Sequence, residues 1–99
     1  MSKQYQYTIY RADGTTEVLE PGPKKEWSGE GGLYDLIGCQ TIEIIPPDYY
    51  RYKNWGRCYV YGDEEGRMFH KPQNRHFKPI APGWDLVGDI IKEEVYHNA

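Results

Sequence analysis

Cysteine is scarce in this chain: Cys39 and Cys58 are the only two in 99 residues. No Cys-x-x-Cys or His-x-x-x-His spacing occurs, so the clustered ligands that mark a zinc site are missing, and no metal or other cofactor is expected. Serine is scarcer still as a nucleophile, because neither Ser2 nor Ser28 sits in a nucleophile elbow. No stretch approaches the roughly 20 apolar residues that cross a bilayer, which argues against a membrane partner. Met1 to Arg11 is polar, so no secretory signal peptide is expected. A cytoplasmic setting with free thiols follows as the default. Aliphatic residues are few, which argues against an all-helical bundle. Strong charge of one sign is also lacking, since the net formal charge is −3.

What the chain does have is tyrosine, ten residues of it, within 38% hydrophobic residues. A core built from these is rich in aromatic rings whose phenols reach solvent or a hydrogen-bond partner. The length suits one domain spanning residues 1–99. Charge is unevenly spread. Residues 51–78 carry a net +4 and the remainder −7, a distribution that suggests either a basic face on an acidic body or ordinary solvated charge.

Tyr5, Tyr7 and Ile9 alternate with Gln6, Thr8 and Tyr10, which predicts a strand. Ala12-Asp13-Gly14 is a turn signal, and Thr15 to Leu19 resumes the strand pattern, giving a hairpin. Lys24 to Gly32 reads as a loop, and its glycines lack the Gly-Lys-Ser/Thr ending of a phosphate loop. Leu33, Leu36 and Ile37 share a helical face, with Gly38 as the stop. The run Thr41 to Ile45 predicts a central strand ended by Pro46-Pro47. The stretch Gly56 to Phe77 reads as a second hairpin: a strand with Cys58 and Val60, a turn at Gly62 to Gly66, and a strand through Arg67, Met68 and Phe69 that stops before Pro72. Gln73 to Phe77 fits one helical turn. Over Trp84 to Val95 a helix spacing fits through Trp84, Val87, Ile90 and Ile91, but Gly88 weakens it, and a strand fits less cleanly, so the pattern alone leaves both open; Tyr96 to Ala99 reads as a frayed tail.

Three patterns bear on function. In Asp48 to Trp55 the side chains of Tyr49, Tyr50, Arg51, Tyr52 and Trp55 interleave rings with positive charge. Such a loop stacks on bases, anchors a protein interface, or simply covers the sheet. His70, Lys71, Arg75 and His76 offer an anion-binding corner, with Arg75 suited to bidentate capture of carboxylate or phosphate. The alternative is that Asn74 caps a turn and Arg75 pairs with an acidic neighbour. His70 and His76 with Glu64 or Glu65 supply the residue types of acid–base catalysis, but the two glutamates fall on a predicted exposed turn with no burial to tune them. Cys39 and Cys58 read as small core residues inside strands. No catalytic residue is assigned.

The segments IGCQTIEII, VYGDEEGRMFHKPQNRHF and WDLVGDIIKE together resemble a small family of phage, plasmid and bacterial mobile-element proteins, a domain of unknown function with a Pro-x-Asn-Arg segment and a closing Val-Gly-Asp strand. The similarity runs from Leu33 to Glu93; the Gly29–Gly32 and Asp48–Trp55 stretches depart from it. The resemblance implies an α+β fold, a strand at Leu86 to Glu93, an origin in a phage or similar element, and no defined activity.

The expectation is therefore an α+β domain, with a mostly antiparallel sheet of five or six strands and one short helix. Its expected role is non-enzymatic binding of a host protein or a small nucleotide-like anion. The surface would combine the Tyr49, Tyr50, Arg51, Tyr52 and Trp55 loop with Arg57, Arg67, Lys71, Asn74 and Arg75. Single-stranded nucleic acid binding, separable by its steep salt dependence, and a small His70/His76 nuclease are the alternatives. On this reading, alanine at Tyr50 and Trp55 removes binding and leaves the fold intact.

Overall fold

The strand signal at the N-terminus is realised as β1, Tyr5–Tyr10, which turns through Ala12-Asp13-Gly14 into β2, Thr16–Val18. The computed structural model describes residues 3–97. The helix α1 covers Leu33–Ile37 and ends at Gly38, whose φ of 73° is the left-handed stop that glycine adopts without a Cβ clash. β3 is Ile42–Ile44, β4 is Tyr59–Asp63 and β5 is Ile90–Val95. They form one antiparallel five-stranded sheet in the order β2-β1-β5-β4-β3. The fold is α+β, with a single short helix and two 3-10 turns, Pro47–Tyr49 and Arg51–Lys53. Among the described residues, no helix is long and apolar enough to cross a membrane.

The sheet is covered on both faces. On one face Leu33 and Ile37 of α1 pack on Tyr7, Ile9, Ile42, Tyr61 and Ile91. On the other, Tyr50, Phe77 and Leu86 come down from irregular segments onto Ile45, Val60 and Ile90. β5 lies at the centre, paired along its length with β1 and through Tyr59–Tyr61 with β4. The C-terminal segment is therefore a strand, as the family resemblance implies, although it begins at Ile90 and the earlier Val87 makes only a single bridge to Gln73.

Several expectations are corrected. Arg67 to Phe69 is not a strand. Amide bonds from Phe69 to the Glu65 carbonyl and from His70 to the Arg67 carbonyl wind residues 64–70 into successive turns. β4 pairs with distant β3 and β5 instead, so the second hairpin does not exist. Gln73 to Phe77 is extended and turned, not helical. β3 lies at the sheet edge, not its centre. Cys39 and Cys58 are free, half-buried thiols just outside the regular elements, and burial raises both thiol pKa values. The tail is not frayed at Tyr96, whose amide bonds the Gln4 carbonyl at 2.8 Å. Ser2, Asn98 and Ala99 lie outside the described residues.

A buried carboxylate holds the helix-side face together. Glu93 is 2% exposed. It accepts bonds from the Tyr7 hydroxyl at 2.6 Å and the Tyr61 hydroxyl at 3.1 Å. Tyr7 in turn accepts the Lys25 amide at 2.8 Å, which ties down the 24–32 loop. Burial, with the Glu93 carboxylate beside them, pushes both phenols above their ordinary 10.0. The unfolded chain releases these protons above about pH 10 while the folded chain keeps them. The stabilisation is thus complete below that pH and is lost as pH rises towards the folded values. Urea midpoints are expected to fall steeply above about pH 10. Tyr7→Phe should flatten the fall by up to about 1.4 kcal/mol per pH unit; an unchanged slope would refute the role of Tyr7.

Candidate functional site

The double proline Pro46-Pro47 ends β3 and starts the two 3-10 turns, which fold the aromatic loop back over the sheet. Tyr50 is 7% exposed. Its ring stacks on Trp55 at 5.4 Å, and Trp55 stacks on Tyr10 of β1 at 5.1 Å and meets Phe77 edge-on at 5.8 Å. The ammonium of Lys92 stands 4.7 Å from the Trp55 ring centre. Tyr50 and Trp55 are therefore a roof on the sheet, and burial raises the Tyr50 phenol pKa. Tyr52 is exposed and accepts the Lys78 amide. Arg51 pairs with Asp48 at 2.8 Å on the surface.

The basic residues do not converge. Arg67 bonds both the backbone carbonyl and, at 2.7 Å, the carboxylate of Asp85, which is held below its ordinary pKa by that bond. Lys71 is 2.7 Å from the buried carboxylate of Asp63 and also bonds the Gly38 carbonyl. Arg75 is exposed beside the Ala12–Gly14 turn, and Arg57 lies near Lys3, Lys24 and Tyr59 at another mouth. Asn74 is fully buried. Its side-chain NH2 donates to the carbonyls of Tyr10 and Gly88, both at 2.8 Å, and its oxygen accepts the His76 amide at 2.9 Å. His76 Nε2 lies 2.9 Å from the Thr15 carbonyl oxygen, whereas His70 is exposed on the 64–70 turns. Among the described residues, no three His, Cys, Asp or Glu side chains gather to hold a metal.

What the fold does assemble is a groove of about 230 Å³ between the β3–β4 edge and residues 84–87. Ile45, Ile90 and Leu86 line its apolar part together with Gly62. A Cβ on Gly62 would stand 2.9 Å from Ile90 Cδ1 and 3.1 Å from Ile45 Cδ1, so this glycine permits close packing, and the turn role expected for it is not needed. Tyr49 and Trp84 supply rings to the wall, and Trp84 is 61% exposed. Glu43 and Glu64 supply carboxylates that form no ion pair among the described residues. Partial desolvation, then the charges of Glu64 and Asp63, raise the Glu43 pKa.

Of the residues expected to form the binding surface, Tyr49 and Arg67 line this groove and the others do not, while Glu64, weighed above for acid–base chemistry, lines it too. Glu43 and Trp84, which also line it, were not among them. Their signals were present: a polar residue inside the short apolar run before two prolines marks an edge strand, and Pro82-Gly83 before Trp84 presents a ring on a loop. No family model, curated protein or solved structure matches the chain.

Proposed function

We propose that this protein is a non-catalytic binding protein that engages a partner protein through the groove beside β3. The carrying observation is the joining of an apolar floor to a large exposed ring, Trp84, at the one long side of the sheet where β3 has no neighbour. Exposed aromatic anchors beside a pocket supply most of the energy of typical interfaces. The Arg67–Asp85 bond supports the reading, since it ties the 64–70 turns to the 84–87 segment and fixes the wall before a partner arrives. The resemblance to mobile-element proteins points to a host-cell protein as the partner.

The test uses a partner recovered by affinity capture, then repurified and titrated by calorimetry. Trp84→Ala is expected to weaken binding at least tenfold while leaving the circular dichroism spectrum unchanged. Tyr52→Ala, in the exposed part of the aromatic loop, is expected to bind as the wild type does. The opposite ranking would return the interface to the Tyr49–Trp55 loop.

A further inference from the structure

The partner's chemistry can be read from the open edge of β3, and the argument rests on the groove reading above. Across the β3–β4 pair the Ile45 amide bonds the Val60 carbonyl at 2.8 Å and the Glu64 amide bonds the Thr41 carbonyl at 3.1 Å. The register sets Ile42 against Asp63, Glu43 against Gly62 and Ile44 against Tyr61. In an antiparallel ladder the main-chain groups alternate in direction. Those of Thr41, Glu43 and Ile45 therefore face β4, and the N–H and C=O of Ile42 and Ile44 face outward. Among the described residues, no turn, loop or side chain bonds them. Ile44 is also 54% exposed.

We propose that this edge accepts an extended segment of a partner protein, added as a sixth strand, in which a lysine or arginine flanked by β-branched residues lies opposite Glu43. Strand addition satisfies the four outward main-chain groups, and alternate side chains then set specificity. The residue opposite Glu43 falls on the groove face. Its cation meets two carboxylates, Glu43 and Glu64, and the rim ring of Trp84. The flanking residues fall on the helix-side face, where the one opposite Ile44 covers that side chain. A second copy of this chain is disfavoured in the pairing centred on Glu43. Symmetric pairing through Ile42 and Ile44 sets Glu43 against its own counterpart, with Cα atoms about 4.5 Å apart, and like charges directly opposite destabilise a pair.

The test titrates isotope-labelled full-length protein with two capped peptides, Thr-Val-Lys-Val-Thr and Thr-Val-Glu-Val-Thr, following amide shifts and hydrogen exchange by NMR. The lysine peptide is expected to bind at least tenfold more tightly and to slow exchange at the Ile42 and Ile44 amides at least tenfold. Glu43→Gln should abolish the discrimination, and Glu43→Lys should reverse it. No binding, equal binding of both peptides, or binding without protection at Ile42 and Ile44 overturns the proposal. If the lysine peptide fails while partner affinity still depends on Trp84, strand addition falls and the groove reading stands. If partner affinity is indifferent to Trp84, the groove reading itself falls.

Discussion

Asn74→Ala is expected to cost about 4 kcal/mol, the largest loss from any single polar side chain in this fold. The amide makes three bonds at once. It joins Tyr10 at the end of β1, Gly88 just before β5, and His76 within its own segment. Its backbone amide adds a fourth tie, to the Leu86 carbonyl at 2.8 Å. Alanine leaves the Gly88 carbonyl and the His76 amide without partners and takes the second donor from the Tyr10 carbonyl, which keeps its pairing with Ile90, and each orphaned group costs about 1–3 kcal/mol. A domain of this size has about 5–15 kcal/mol in total, so the variant sits near the limit of folding. Asn74→Asp is expected to be at least as damaging at neutral pH, because one carboxylate oxygen still accepts the His76 amide but the other is turned towards two carbonyls it cannot satisfy. Urea denaturation followed by circular dichroism reads both. A loss below about 1 kcal/mol for Asn74→Ala would mean that water replaces the amide and that the clamp is dispensable.

The sequence is legible where structure is local and misleading where it depends on distant partners. The β1–β2 hairpin, the loop at residues 24–32 and α1 are local structures, each with its own turn or cap residue, and all were legible. β5 is the centre of the sheet and had the most ambiguous pattern. Both of its faces are buried, so Ile90 and Ile91 point to opposite clusters and no apolar–polar alternation results. Its polar residues also face inward, with Glu93 among tyrosines and Lys92 against Trp55. The hairpin read into Gly56–Phe77 failed for a related reason. Arg67, Met68 and Phe69 alternate as a strand would, but β4 already has β3 and β5 on its two sides, and no place is left for a third partner.

The candidate site was less legible than the fold, because exposure is set by contacts that the sequence does not display. Asp48 to Trp55 looks like a recognition loop by composition, yet Tyr50 is core and Tyr49 and Trp55 pack against it. The basic residues look like an anion site by count. In the structure Arg67 and Lys71 are each held by a carboxylate, Asp85 and Asp63, from other segments. Trp84 is placed by the sequence only at the start of the ambiguous 84–95 stretch, and it stands on the surface, since Pro82-Gly83 carry the chain outward before Leu86 returns to the core. Composition thus located the aromatic residues without dividing them into roof and rim.

The division is sharpest at Trp55, where the structure reverses the expectation that alanine leaves the fold intact. Trp55→Ala is expected to cost about 3–5 kcal/mol, because the indole is the middle ring of the Tyr10–Trp55–Tyr50 stack and closes the sheet face with Phe77. Its removal also uncovers Lys92, a half-buried ammonium on the central strand whose remaining ion pair is Glu94 at 3.4 Å. Trp55→Phe keeps a ring in the stack and is expected to recover more than half of the loss. Tyr52→Ala, whose ring lies outside the stack, is expected to change stability by less than about 1 kcal/mol. The same urea series ranks all three. If Trp55→Ala were as stable as Tyr52→Ala, the loop would be a free recognition surface after all and the roof would be an incidental contact. If the ranking is as expected, any binding lost in Trp55→Ala reports unfolding, and only the rim residues Trp84 and Glu43 can separate recognition from stability.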